Sequence, residues 1–137
     1  MFKAATITGL LALLAGQAHA AGCAPEGGIE IAKIEAMNQM VLDMDFEGFA
    51  RAIKDEVGID IADGVKSVAD IFTEGFVSCA TIAQRKDLGG MVQNVVMFEA
   101  KVGPLFGYWL ATPSGGDYKV VSFSLNTDLD EVMANLR

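Results

Sequence analysis

The chain has 137 residues, 52% of them hydrophobic, a formal net charge of −8 and a single histidine, His19. This length suits one domain with one core, and the acidic balance argues against nucleic acid and anionic membrane surfaces as partners, because both need basic patches. His19 lies in an N-terminal segment that we expect to be removed. The mature chain then lacks the histidine of Ser-His-Asp and Cys-His pairs and of the usual zinc sites, so we predict no metal and no cofactor.

Residues 1–20 have the pattern of a secretory signal peptide. One lysine precedes an apolar run over residues 4–15, and the letters AHA at 18–20 have the small-x-small pattern of a signal peptidase site. The run is shorter than the roughly 20 residues that span a bilayer, so we predict an exported protein, periplasmic or secreted, without a transmembrane segment. A lipid anchor at Cys23 is the alternative, because the preceding residues resemble a bacterial lipobox that lacks its usual leucine.

Two cysteines, Cys23 and Cys79, remain in the mature chain, the first within a lead-in, residues 21–28, that we expect to be flexible. In an oxidising compartment we predict a disulfide bond between them. It would close a loop of about 57 residues and stabilise the fold by roughly 4 kcal/mol in the chain-entropy model. The alternative is a free, buried Cys79 with Cys23 disordered or lipidated.

Residues 29–75 carry the periodicity of three amphipathic helices. The apolar stripe of the first helix comprises Ile34, Met37, Val41 and Met44. Asp45 is placed to cap the second helix, and Gly58 is placed to stop it. We expect the third helix to begin within residues 60–63.

After residue 75 the apolar period changes to two, which predicts four strands and then a short helix. The predicted strands cover residues 76–85, 91–102, 105–112 and 118–125, and the helix covers residues 128–136. The centre of the second strand, residues 95–98, is apolar on both sides, which is typical of a strand covered on both faces. Helices followed by an antiparallel meander define the α+β class. We predict three N-terminal helices packed on a four-stranded antiparallel sheet, in one domain over residues 29–137.

The sequence does not determine the register of the last two strands. A tight turn at 113–116 puts Tyr108 on a bulky face that we expect to be the core, and Trp109 on the opposite face. Carrying that register backwards places Glu99 beside Tyr108, which puts a charge on an apolar face. Either a bulge near Gly103 shifts the register by one residue, or Glu99 and Tyr108 form a polar pair in an apolar cleft, as expected of a functional carboxylate.

The segments "LFGYWL" and "GGDYKVVSFSLNTDLDEVM", after helices and a long strand, resemble the nuclear transport factor 2-like superfamily over roughly residues 29–136. The resemblance implies a cone in which a strongly curved sheet wraps a long helix, often with an internal pocket, and implies pairing of two chains through their sheets. Residues 58–61 offer only a stub where members often place a strand hairpin. The mature chain also lacks the histidine that the enzymatic branches use, so the resemblance implies no catalytic residue.

We therefore expect an exported, non-catalytic domain that binds a small apolar ligand or a protein partner through its sheet. The candidate ligand-binding residues are Glu99, Tyr108, Trp109 and Tyr118. The alternative is an isomerase- or dehydratase-like pocket enzyme in which Glu99 or an aspartate is the base and Tyr108 or Tyr118 donates a hydrogen bond. A thiol-redox role is disfavoured, because redox centres usually have Cys-x-x-Cys spacing.

Overall fold

The structure, a computed structural model, describes residues 22–136, so the predicted signal peptide at 1–20 lies outside the described residues. Three helices precede a four-stranded antiparallel sheet and a short last helix, which confirms the predicted α+β class. The elements are α1 (Ala32–Leu42), α2 (Phe46–Val57), α3 (Ala62–Ile71), β1 (Ser78–Lys86), β2 (Val92–Glu99), β3 (Leu105–Ser114), β4 (Asp117–Asn126) and α4 (Leu129–Met133).

Local signals set the ends of the helices. The Asp45 carboxylate accepts a hydrogen bond from the Gly48 backbone N–H at 2.9 Å and so caps α2, as predicted. Gly58 ends α2 with a φ of 85°, a left-handed conformation that glycine adopts at little cost. Ahead of α3, the Asp60 carboxylate accepts from the Ala62 N–H at 3.0 Å. Each signal lies within five residues of its partner, which is why it could be predicted.

The sheet is a meander with strand order β1-β2-β3-β4, so β1 and β4 are its edges. Helices α1–α3 pack on one face, here called the helix face, which carries Phe98 and Trp109. The opposite, outer face carries Phe106 and Tyr108 and is partly covered by α4. In β2, Val95 is buried on the outer face, Val96 and Phe98 are buried on the helix face, and Met97 is half-buried, so the prediction of a strand covered on both sides is confirmed.

The main core lies between the helix face and α1–α3. Trp109 is fully buried there, and Phe49 of α2 meets it edge-on with ring centroids 6.0 Å apart. Phe123 of β4 completes the aromatic group, 5.6 Å from Trp109. Aromatic pairs contribute roughly 0.5–1.5 kcal/mol beyond their buried area, so this group holds α2 over β3 and β4.

The prediction of which face of β3 forms the main core was wrong. Trp109 points into the main core, whereas Phe106 and Tyr108 belong to a smaller cluster with Val95 and with Val132 of α4. Both faces of β3 are buried because α4 folds back onto the outer one. Alternation along the strand therefore does not identify the face that meets the helices.

The register between β2 and β3 also differs from the expected one, which placed Glu99 beside Tyr108. Phe98 pairs with Leu105, and Val95, not Glu99, lies opposite Tyr108. Residues 100–104 connect the two strands, and the Gly103 N–H donates to the Ala100 carbonyl at 3.0 Å within this connection. This connection, rather than a bulge at Gly103, removes the conflict between a charge and an apolar face.

Each edge strand contains a bulge with an exposed apolar residue. The pairing of β1 with β2 skips Ile82, and the pairing of β4 with β3 skips Val121. Ile82 is 42% exposed and Val121 is 40% exposed. Bulges interrupt regular pairing and are common at sheet edges.

Cys23 and Cys79 form the predicted disulfide bond, with Cα atoms 4.9 Å apart. Both cysteines are buried, and the bond uses the sulfur that a lipid anchor at Cys23 would need. A disulfide is compatible with the oxidising compartment of an exported protein. Among residues 22–136, no helix has the length and apolar character needed to cross a membrane.

Candidate functional site: a groove along the edge strand

The four predicted ligand-binding side chains do not meet in one site. Tyr108 lies on the outer face, whereas Trp109 and Tyr118 pack on the helix side. Glu99 is exposed at the end of β2 and accepts a hydrogen bond from the Ser78 hydroxyl at 3.0 Å. The alternative in which Glu99 and Tyr108 form a polar pair is therefore not observed.

Two of the aromatic candidates are part of the packing. Tyr108 is buried and donates its hydroxyl to Gln93 Oε1 at 2.9 Å. Trp109 donates its indole N–H to Asn38 Oδ1, also at 2.9 Å. Tyr118 is half-buried against the main core. The rings of Tyr108 and Trp109 thus contribute to the cores instead of forming an open platform for an apolar ligand.

A groove of about 600 Å³, here called the edge groove, runs along β1. One wall is residues 79–84 of β1, and the other is formed by residues 22 and 24–28. The volume falls within the roughly 300–1,000 Å³ that is common for binding sites. Within residues 22–136, β1 pairs only with β2, so the backbone N–H and C=O groups of its free edge are available along the groove.

The wall of the edge groove formed by residues 22–28 is attached to β1 near residue 23. The Cys23–Cys79 bond joins it covalently to the strand. The Thr81 hydroxyl donates a hydrogen bond to the Cys23 carbonyl. These two contacts fix a segment that has no regular secondary structure of its own.

Gln84 fastens the other end of this wall and acts as a substitute strand partner for Ile29. Its side-chain amide donates to the Ile29 carbonyl and accepts from the Ile29 N–H, both at 2.8 Å. A Cβ atom on Gly28 would lie 2.6 Å from Gln84 Oε1, so glycine is needed for this close approach. The contact sets both the end of the groove and the approach of the chain to α1.

Gln84 also begins a row of side chains that crosses the helix face. The register places Gln84, Asn94, Trp109 and Phe123 side by side on the four strands. Gln84 Nε2 donates to Asn94 Oδ1 at 2.8 Å. Asn38 of α1, which packs over this row, accepts the hydrogen bond of the Trp109 indole N–H. Asn38 and Asn94 are both 0% exposed. Buried amides in an apolar layer are costly unless they are hydrogen-bonded, so their partners matter.

Three buried polar atoms of this layer have no hydrogen-bond partner among the described residues: Glu35 Oε1, Asn38 Nδ2 and Asn94 Nδ2. Burial, and secondly the nearby charge of Glu30, raise the pKa of Glu35 from 4.5 to about 7. The layer thus combines an unpaired acceptor on Glu35 with two unpaired amide donors. We refer to Glu35, Asn38 and Asn94 as the polar cluster.

The polar cluster was not among the residues predicted from the sequence. Asn38 lies four residues after Ile34, a buried position of the helical stripe, and Asn94 interrupts the apolar run of β2. A polar residue at a position that the periodicity assigns to the core is the signal that identifies both asparagines. Glu35 has no such signal, because its burial depends on how α1 lies on the sheet.

The edge groove can form backbone hydrogen bonds with an extended chain. No group of three or more metal-ligating side chains occurs within residues 22–136. In comparisons with known proteins, no family model matches the chain, and no curated protein or solved structure gives a significant match.

Proposed function

We propose that the protein is an exported, non-catalytic binding domain that takes an extended segment of a protein partner into the edge groove. The observation that carries this proposal is the free edge of β1, which lies in a groove whose second wall is covalently attached. In β-strand addition, main-chain hydrogen bonds supply affinity and neighbouring side chains supply specificity. Ile82, the exposed bulge residue on this edge, is the apolar contact for the partner.

The attached wall supports this function through preorganisation. Its disulfide at Cys23 and its hydrogen bonds at Ile29 keep residues 22–28 beside β1 before any partner arrives. A binding surface that is already ordered loses less conformational entropy on association, which increases affinity. The buried disulfide therefore serves the groove as well as the fold.

The other functions expected from the sequence have less support. The pocket enzyme with Glu99 or an aspartate as base has less support, because Glu99 is exposed and hydrogen-bonded to Ser78. An apolar ligand on the aromatic strands would need Trp109 or Tyr108 to leave a core. The pairing of two chains implied by the nuclear transport factor 2-like resemblance remains a proposal, and it is one form of the partner proposed here.

The proposal is tested with peptides selected on the mature, oxidised protein from a random display library. We expect Ile82→Lys to weaken binding of a selected peptide at least about tenfold, a cost of about 1.4 kcal/mol, because a charge replaces the apolar contact. Fluorescence anisotropy of the labelled peptide gives Kd for each variant. Hydrogen exchange should show new protection of the β1 edge amides in the complex.

Val121→Lys is the matched control, because Val121 has the same exposure and the same bulge environment on the opposite edge. We expect this variant to bind the peptide as the wild type does. Equal loss in both variants, or no protection of β1, would contradict the proposal. A dimer in sedimentation that Ile82→Lys dissociates would identify a second copy of the chain as the partner.

A further inference from the structure

The layer between α1 and the sheet contains hydrogen-bonding groups that the edge groove does not use. Asn38 and Asn94 are fully buried, yet the side-chain amide nitrogen of each has no hydrogen-bond partner among residues 22–136. Glu35 contributes a buried carboxyl oxygen that also lacks a partner. Leaving a buried polar group unpaired costs roughly 1–3 kcal/mol, and an unpaired charge costs more.

The topology brings these three groups into one layer. Ile29, ahead of α1, is fastened to Gln84 on β1, and Asn38 further along α1 is fastened to Trp109 on β3. This part of α1 therefore crosses β2, the strand that carries Asn94 between its two neighbours. Glu35 lies on that crossing part of α1, one turn before Asn38.

We infer that Glu35, Asn38 and Asn94 form an internal proton-binding site, and that the proton on Glu35 sets how firmly α1 packs on the sheet. A neutral Glu35 carboxyl is tolerated in this layer without a charged partner. Loss of the proton leaves a negative charge on a half-buried carboxyl whose Oε1 is shielded from water, and a shift of α1 that hydrates this oxygen then lowers the free energy. The inference does not depend on what occupies the edge groove.

Among residues 22–136, no salt bridge joins Glu35 to a lysine or arginine. The charged or titratable side chains on the elements around α1 are Glu47, Arg51, Lys54, Asp55 and Glu56 of α2, Arg85 and Lys86 of β1, Glu99 of β2, Tyr108 of β3, and Asp117, Tyr118 and Lys119 of β4, with Glu30 and Lys33 near Glu35 in the chain. Lys33 is engaged with Glu56 of α2 at 3.3 Å, and it lies two residues from Glu35, a spacing that does not share a helix face. Glu30 adds like-charge repulsion, whereas Lys86 lies exposed at the end of β1.

The single tryptophan of the chain, Trp109, reports on this site directly. Its indole N–H is bonded to Asn38, so a shift of α1 changes the environment of the ring. We expect its fluorescence, followed from pH 5 to 9 in the mature protein, to change in one step with a midpoint near 7, the pKa of Glu35. The mature chain has no histidine, so no ordinary side chain competes for this assignment.

Three variants distinguish the inference from a general effect of pH. Glu35→Gln should abolish the fluorescence step, and Glu30→Gln should keep it but lower its midpoint, since one repulsive charge is removed. Glu47→Gln, an exposed carboxylate of α2, is the control and should leave the step unchanged. A flat wild-type titration, or a step that persists in Glu35→Gln, would overturn the inference.

Hydrogen exchange of the wild-type protein gives a test that does not depend on a variant folding. The pKa of Glu35 is raised in the folded state, so the stabilisation is present at low pH and is lost as pH rises through about 7. Linkage then sets an upper limit of about a tenfold fall in the protection factors of α1 between pH 6 and 8. Unchanged protection of α1 over this range would also overturn the inference.

Discussion

At the residue scale, the hydrogen bond from the Trp109 indole N–H to Asn38 connects α1 to the sheet. Trp109 fills the centre of the main core, and its hydrogen bond satisfies the Oδ1 acceptor of the fully buried Asn38. Apolar packing and polar satisfaction therefore depend on the same side chain. Removing the indole nitrogen changes both at once, because the asparagine cannot turn to water for a new donor.

Trp109→Phe should lower the free energy of unfolding by about 2–4 kcal/mol, since it leaves a buried acceptor unpaired and a smaller ring in the core. Asn38→Leu should cost less in the Trp109→Phe background than in the wild type, because the orphaned amide is then removed. Urea unfolding followed by circular dichroism measures all four proteins. Strictly additive losses would show that the hydrogen bond contributes nothing beyond packing.

The elements divide into those fixed by local contacts and those fixed by distant ones. The ends of α2 depend on Asp45 and Gly58, which act within a few residues, and both were predictable from the sequence. The register of β3 could not be predicted, because it depends on the five-residue connection 100–104 and on α4 covering the outer face. The edge groove was also unpredictable, since its walls are separated by more than fifty residues, a distance bridged by the Cys23–Cys79 bond.

Asp45→Ala should lower the free energy of unfolding by about 1 kcal/mol, because the Gly48 N–H loses its capping acceptor. Thermal unfolding followed by circular dichroism measures the loss. Asp55→Ala removes the same charge from an exposed position near the other end of α2, where a carboxylate opposes the helix dipole. This control should be neutral or slightly stabilising, and equal destabilisation by both variants would refute the capping role.

At the scale of the whole molecule, one covalent bond joins the start of the described chain to the edge of the sheet. Cys23 and Cys79 are separated by 56 positions, and all three N-terminal helices lie between them. The sequence allowed this bond to be predicted from only two facts, the presence of two cysteines and a leader typical of export. Its role as one support of the edge groove required the fold.

Replacing both cysteines by serine should lower the free energy of unfolding by up to about 4 kcal/mol, the chain-entropy value for a loop of this size. It should also weaken peptide binding in the edge groove, because the wall at residues 22–28 loses its covalent attachment. Urea unfolding and fluorescence anisotropy measure the two effects. Reduced wild-type protein serves as the control and should behave like the double variant. Unchanged stability in both would show that the hydrogen bonds of Thr81 and Gln84 suffice.

The position of the disulfide also determines whether the fragments of the folded chain stay covalently joined after cleavage by a protease. The connections between α1, α2 and α3 all lie inside the covalent loop, whereas the turns between the strands lie outside it. A cut between two helices yields two pieces that remain attached and migrate as one molecule until a reductant is added. A cut at the exposed turn residues 115–116 releases β4 and α4 from any covalent hold. The helical half of the protein is therefore protected against loss of its parts, and the C-terminal half is held only by its packing.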